Sequence, residues 1–176
     1  MKSSSFLQIL LLGALWGAAF MFMRVAVPEF GAFSMALARV GLAAIIMLGI
    51  VAALRQSIHF RARWKTYVAI GAINTALPFI AYSFAAKHIP AGYSAIANST
   101  TPVWSALIAW LWFKQPLGAL KWIGIVFAFA GVFVLVGLQS VALTPMVIAG
   151  MAAAVLSASL YAAASFLIQR YLTGES

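Results

Sequence analysis

The chain has 176 residues, of which 65% are hydrophobic and 7% are charged, and its formal net charge is +9. Soluble domains carry roughly 25% charged residues, and a chain of this length cannot hide so much apolar surface inside one core. The composition therefore excludes a soluble domain and predicts an all-α polytopic membrane protein in a lipid bilayer, and the cations, which punctuate apolar runs, argue against nucleic-acid binding.

Six apolar segments are each near the ~20 residues that cross a bilayer, and the first runs roughly from Phe6 to Met23. Its motif GALWG places Gly13 and Gly17 one turn apart, which predicts close helix packing. Trp16 lies between them, in mid-helix and away from the interfaces that Trp prefers, so we interpret it as a cavity-lining candidate. The N-terminal stretch also resembles a signal peptide, but five further spans make a retained helix the simpler interpretation.

Arg24 and Glu29 flank the predicted outer turn RVAVPEF. A salt bridge at the mouth of the protein and an extracellular gate are both compatible with this pair. The second predicted helix, Ala32 to Leu54, contains Arg39. An arginine inside a membrane costs at least about 2.5–3.5 kcal/mol, so Arg39 must face the bundle, reach an interface or find an anion. It is either a substrate or gating contact or a structural arginine that reaches outwards or binds carbonyls.

The third predicted helix runs from Thr66 to Ala86 and carries two polar candidates, Asn74 and Tyr82. They are eight residues apart, a little over two turns, and so lie near one face. Polar groups within a membrane need partners. The two side chains therefore line an aqueous cavity or join neighbouring helices.

The fourth predicted helix, Gly92 to Phe113, has an unusually polar centre, NSTTP, from Asn98 to Pro102. Pro102 removes a backbone hydrogen bond there. Four consecutive polar residues surround more than half of the helix, so at least one faces the interior. Asn98 and Thr101 are the candidates for a cavity role, and helix–helix hydrogen bonding is the alternative.

No charge occurs between Trp122 and Gln169, and the polar stretch GLQSVALTP, residues 137–145, divides this run into two helices. The fifth runs from Trp122 to Val136, where Gly124 and Ala128 form a weaker pair of small residues that predicts packing. The sixth runs from Val147 to Ile168. We therefore predict a first five-helix repeat over residues 1–137, and a linker with the first helix of a second repeat over residues 138–176.

The sixth helix resembles the first. When Trp16 is aligned on Tyr161, Leu15 falls on Leu160 and Ala19 on Ala164. Five helices separate the starts of the two segments, so the second segment enters the membrane from the opposite side. This arrangement is typical of the inverted repeats of secondary transporters.

The cations are distributed unequally between the two sides of the predicted membrane. Arg24 and Lys87 lie on one side, and eight cations lie on the other: Lys2, Arg55, Arg61, Arg63, Lys65, Lys114, Lys121 and Arg170. This bias predicts a cytoplasmic N-terminus in the cytoplasmic (inner) membrane and argues against dual topology.

Three stretches carry a family resemblance: LLGALWGAAFMFMRVAV, FSMALARVGLAAIIML, and the long segment from AYSFAAKHIPAGYSAIANSTTPVW to GIVFAFAGVFVLV. They resemble the first, second and third-to-fifth helices of EamA-like permeases in the drug/metabolite transporter superfamily. Gln115 departs from the pattern, because the family usually has an acid at this position. The resemblance implies ten helices in two halves, so this chain looks like a permease truncated after the first helix of its second half.

The resemblance implies a transporter, and an exporter in particular, of small metabolites such as amino acids, working by alternating access. A non-transporting membrane subunit or scaffold is the alternative. The expected partners are a small-molecule substrate and the missing C-terminal half or another membrane chain. The predicted spans hold no Asp, Glu or His, and the chain has no Cys. We therefore expect no catalytic residue, metal or cofactor, and no intramembrane proton relay.

Overall fold

The computed structural model of the chain describes residues 3–55, 60–137 and 142–172. Within these ranges the backbone is almost entirely helical and contains no strand, which confirms the predicted all-α class. Lys2, one of the eight cations, and residues 138–141, part of the predicted break before the sixth helix, lie outside the described residues.

The first two helices, α1 (Ser3–Phe30) and α2 (Ala32–Ala53), are joined through one residue, Gly31. Gly31 has φ 80°, a conformation that glycine adopts without steric cost, and this permits so abrupt a reversal. α1 therefore continues beyond its predicted end at Met23 and passes through Pro28. The expected outer turn around Pro28 is wrong, since that segment is helical.

The third span consists of α3 (Phe60–Gly71), a π-helical turn (Ala72–Ala76) and α4 (Leu77–His88). An α-helix would join the N–H of residue 78 to the carbonyl of Asn74, but Pro78 has no N–H. The N–H of Leu77 instead donates to the carbonyl of Ala72, five residues earlier. The proline thus accounts for a widened turn in mid-membrane.

The fourth span is divided into α5 (Ala91–Ser99) and α6 (Thr101–Phe113), which corrects the expectation of one continuous helix. The cause is the same, because Pro102 cannot donate to the carbonyl of Asn98. α6 ends at Lys114, whose φ is 51°, and two helices complete the described chain, α7 (Ala119–Gly137) and α8 (Pro145–Tyr171).

Four helices of the described part are long and apolar enough to cross a membrane: Phe6–Phe30, Ala32–Ala53, Phe60–His88 and Pro145–Tyr171. The fourth predicted span falls short because it is divided at Thr100, and α7 contributes a shorter apolar helix, Ala119–Gly131. Large apolar side chains such as Phe22, Val25 and Ile45 point outwards. These faces contact the lipid of the bilayer, and the chain is a multi-pass membrane protein.

α8 lies at the centre of the bundle and makes its most extensive contact with α4. Small residues allow the close approach: Ala154 and Ala158 are fully buried, and a Cβ added at Gly150 would lie 3.1 Å from side-chain atoms of both His88 and Ile89. The helix that we predict to begin a second repeat therefore lies in the core of the described bundle.

The small residues predicted to pack helices closely do not do so within the described chain. A Cβ added at Gly13, Gly17 or Gly124 would meet nothing within 4 Å, and Ala128 is half-buried. No described helix packs closely on these three glycines, and their packing role stays a prediction. α1 contributes Phe20, Met23 and Val27 to the apolar core, all from the part of the helix that follows Gly17.

Candidate functional site

The two proline-induced distortions converge on one groove. In each, an asparagine precedes the proline by four residues, in NTALP and in NSTTP. Both Asn74 and Asn98 line a groove with a volume of about 500 Å³. Thr101 lines it beside Asn98, and α8 contributes Tyr161 and Ser165. Irregular turns of this kind are common at functional sites in membrane helices, because they free backbone groups next to a cavity.

α1 forms the apolar wall of the groove through Ile9, Leu12, Gly13 and Trp16. Gly13 therefore borders the groove and leaves room there for an occupant. In the described chain it lies at a cavity and not at a close helix contact. Trp16 is 44% exposed. Trp16 thus borders the groove, and its role as a cavity-lining contact stays a prediction.

The polar side of the groove is held by hydrogen bonds. The hydroxyl of Tyr82, which is 1% exposed, donates to Oδ1 of Asn98 at 3.3 Å. The hydroxyl of Thr101 donates to the carbonyl of Asn98 at 2.7 Å and so replaces the N–H that Pro102 lacks. Because Oδ1 accepts from Tyr82, the side-chain amide NH₂ of Asn98 is left to donate towards an occupant.

Four aromatic side chains form a continuous row beneath the groove. Trp16 and Tyr161 meet edge to face, with ring centroids 6.3 Å apart and planes at 76°. Tyr161 stacks on Tyr82 at 6.2 Å, and Phe20 meets Tyr82 edge to face at 5.2 Å. The row connects α1, α4 and α8 through rings whose faces and edges attract one another.

Arg39 lies behind this row. Its guanidinium is 4.6 Å from the ring centroid of Phe79, and the side chain is half-buried. It lines a small cavity of about 10 Å³ to which Trp16, Tyr82 and Tyr161 also contribute. The sequence left open whether Arg39 faces the bundle or reaches outwards, and the structure places it towards the bundle. A cation over an aromatic face is a recognised stabilising contact.

Arg24 lies apart from the groove. Its guanidinium donates to the carbonyl of Ala86 at 2.5 Å and so joins α1 to the end of α4. Glu29 is five residues further along the same helix, about 140° around it, and does not pair with Arg24. The expected salt bridge between these two residues is wrong.

Of the seven candidates, Trp16, Asn74, Asn98 and Thr101 line the groove, and Tyr82 and Arg39 line the small cavity behind it. The sequence analysis did not select Tyr161 or Ser165. The alignment of Tyr161 with Trp16 could have identified Tyr161 as a candidate. The repeated spacing of an asparagine four residues before a proline could have predicted both helix distortions.

The groove is suited to binding by neutral hydrogen bonds and aromatic contacts. Its lining contains amides, hydroxyls and apolar side chains, with neither an acid nor a histidine among the residues that line it. In the part of the chain that the structure describes, no three His, Cys, Asp or Glu side chains come together as metal ligands. A small polar or amphipathic molecule fits this chemistry.

Comparison with known proteins gives one match. The profile of the EamA-like transporter family matches residues 3–137. Searches among curated proteins and among solved structures return no match. The matched range contains α1 to α7, with the groove residues Trp16, Asn74, Asn98 and Thr101. The match covers most of the chain, so the chain belongs to the EamA-like transporter family, a family of membrane transporters of the drug/metabolite type.

Proposed function

We propose that the chain forms part of a permease that moves small polar or amphipathic metabolites, amino acids and related compounds among them, out of the cell. The observation that supports this is the convergence of two distorted helices on one groove at membrane depth. Unpaired amides are costly on a helix face that contacts lipid, whereas in a substrate path they can bind polar groups of the substrate. Asn74, Asn98 and Thr101 would bind polar groups of the substrate, and Trp16 its apolar part.

The groove lacks a wall on one side. Leu12 and Trp16 line it and are 56% and 44% exposed. Polar groups such as the amide of Asn98 cannot face lipid without a cost of several kcal/mol. We therefore propose that four further helices, in a longer chain or in a separate one, close the groove and complete a second repeat. Alternating access would then arise from rocking of the two repeats around the site.

The proposed orientation follows from the distribution of charge. Eight cations on the side of the N-terminus against two on the other favour a cytoplasmic N-terminus in the inner membrane. The end of the groove near Ile9 on α1 would then lie towards the cytoplasm. The Arg24–Ala86 hydrogen bond would lie towards the outer surface, where it holds α1 against α4.

The experiment combines the chain with the four helices that the proposal expects to be encoded with or beside it. Liposomes that hold both parts, preloaded with radiolabelled amino acids, should release label faster than liposomes that hold the 176 residues alone. Asn98→Ala should slow this release, and Gly124→Ala, far from the groove lining, should leave it unchanged. The absence of such a four-helix segment, or equal release in all samples, would favour a scaffold that packs its groove against a partner chain.

A further inference from the structure

Arg39 has a guanidinium whose donors are not used. A guanidinium carries five N–H donors in a planar fork. The guanidinium lies over the face of Phe79 and interacts electrostatically with Tyr161, and no hydrogen bond or ion pair to Arg39 is found within the described ranges. The side chains around it, including Phe20, Met23 and Tyr82, carry no negative charge. An anion bound in these surroundings would be stabilised, because it would pair with the positive charge of the guanidinium.

Two cavities meet at the same pair of side chains. Trp16 and Tyr161 line both the groove of about 500 Å³ and the cavity of about 10 Å³ at Arg39. A cavity measured in this way needs roughly 10–15 Å³ to hold one water molecule, so the smaller cavity has no room for a carboxylate. Trp16 and Tyr161 therefore stand between the groove and the cavity at Arg39.

The contact between the two rings is suited to opening. Trp16 and Tyr161 touch edge to face, with centroids 6.3 Å apart, and no hydrogen bond joins them in the described structure. Trp16 is 44% exposed and lies between Gly13 and Gly17, where a Cβ would meet nothing within 4 Å. The indole thus has space on the groove side into which it can turn. Rotamer changes of exposed side chains occur within nanoseconds.

We propose that Arg39 is an anion-binding subsite and that Trp16 and Tyr161 form the gate between it and the groove. An entering molecule with a carboxylate and a flat apolar part would displace the indole and place its carboxylate on the guanidinium. Its apolar part would lie against Tyr161 and Tyr82 of the aromatic row. The neutral groove would admit such a molecule, since its lining holds no acid to repel it. This inference rests on the proposed function, because it assumes that the groove is a binding site.

The binding test uses phenylacetate and its neutral isostere phenylacetamide, with the 176-residue chain in nanodiscs of phosphatidylcholine. Hydrogen bonds to a charged group predict that equilibrium dialysis will give at least about tenfold tighter binding of the carboxylate. Arg39→Gln should remove this preference. Arg39→Lys should restore part of it, because an ammonium lacks the planar fork. Arg24→Gln, which removes a cation outside the groove, should retain it. Equal binding of the two probes, or no binding of phenylacetate, overturns the inference.

The gate test measures modification of Arg39 by phenylglyoxal, followed by mass spectrometry of the peptide that contains it. Trp16→Ala should accelerate modification several-fold because the cavity at Arg39 then opens to the groove. The matched control is Trp110→Ala, which removes another edge-to-face contact, between Trp110 and Trp122 at 5.3 Å. Equal rates of modification in Trp16→Ala and in the wild-type chain would contradict the gate.

The two proposals can fail separately. Carboxylate binding without flux would refute only the proposed transport, and flux without carboxylate preference would refute only the subsite.

Discussion

Trp16 and Tyr161 are aligned in the two similar segments of the sequence, and in the structure their rings contact each other edge to face. In the predicted inverted repeat, the two halves are related by a pseudo-two-fold axis in the plane of the membrane. Equivalent residues that touch must lie near that axis. The contact therefore favours a site near the middle of the bilayer, where α1 and α8 both pack on α4.

Tyr82→Phe should lower stability without removing the groove. The change deletes the hydroxyl that donates to Asn98 Oδ1 and keeps the ring that stacks on Tyr161. Interhelical hydrogen bonds in membrane proteins contribute about 0.6 kcal/mol on average. We expect a loss of this size in the free energy of unfolding, measured by denaturant titration in mixed micelles. Tyr171→Phe, an exposed tyrosine near the end of α8, is the control. An equal loss in both variants would contradict a specific role for Tyr82.

Thr101→Ala should destabilise the chain, and Pro102→Ala in the same chain should restore it. The Thr101 hydroxyl donates to the Asn98 carbonyl because Pro102 has no N–H. Without that hydroxyl the carbonyl lacks this donor, at a cost of about 1 kcal/mol. Alanine at 102 supplies an N–H that can replace it. The measurement is a double-mutant cycle on unfolding free energies, and additive losses in the double variant would show that the carbonyl is satisfied in another way.

Gly150→Leu should disrupt the central packing of the bundle. Even a Cβ at this position would lie 3.1 Å from the side chains of His88 and Ile89, so a larger side chain must push α4 and α8 apart. Overpacking typically costs about 1–3 kcal/mol. Gly124→Leu is the matched control, because a Cβ there meets nothing within 4 Å. Thermal unfolding in detergent should separate the two variants, and similar midpoints would mean that α4 and α8 do not pack as described.

Topology can be measured with single cysteines, since the chain has none of its own. A cysteine at Gly118, in the exposed link before α7, should react with an impermeant maleimide only from the cytoplasmic side. One at Gly92, exposed in the first turn of α5, should react only from outside. The eight-to-two distribution of cations is the reason for this expectation. Labelling of Gly118→Cys in intact cells would reverse the proposed orientation.

The membrane class and the approximate spans could be predicted because they depend on local composition. The sequence limited the orientation of the Arg39 side chain to a few possibilities, because a charged group that faces lipid costs too much free energy. Packing partners depend on how distant segments meet. Gly13 was predicted to pack helices and Gly150 was not selected, yet the first borders a groove and the second lies between two helices. Composition does not distinguish these cases.

The helix distortions were predictable in part. Pro102 was expected to remove a hydrogen bond, and the structure shows that the loss divides the fourth span at Thr100. Pro78 has the same spacing from Asn74, and that recurrence contained the information needed to expect the π-helical turn. The convergence of both asparagines on one groove depends on the rotation of each helix about its axis, which no local pattern determines.

The position of α8 bears on whether the matched range can form a stable bundle by itself. Residues 3–137 are what the family profile recognises, yet the most extensive interface of the described bundle is that between α4 and α8, and α8 lies beyond this range. Residues 3–137 alone would therefore leave the α8-facing surface of α4 uncovered, and only a helix from elsewhere, in the same chain or in another molecule, could cover it.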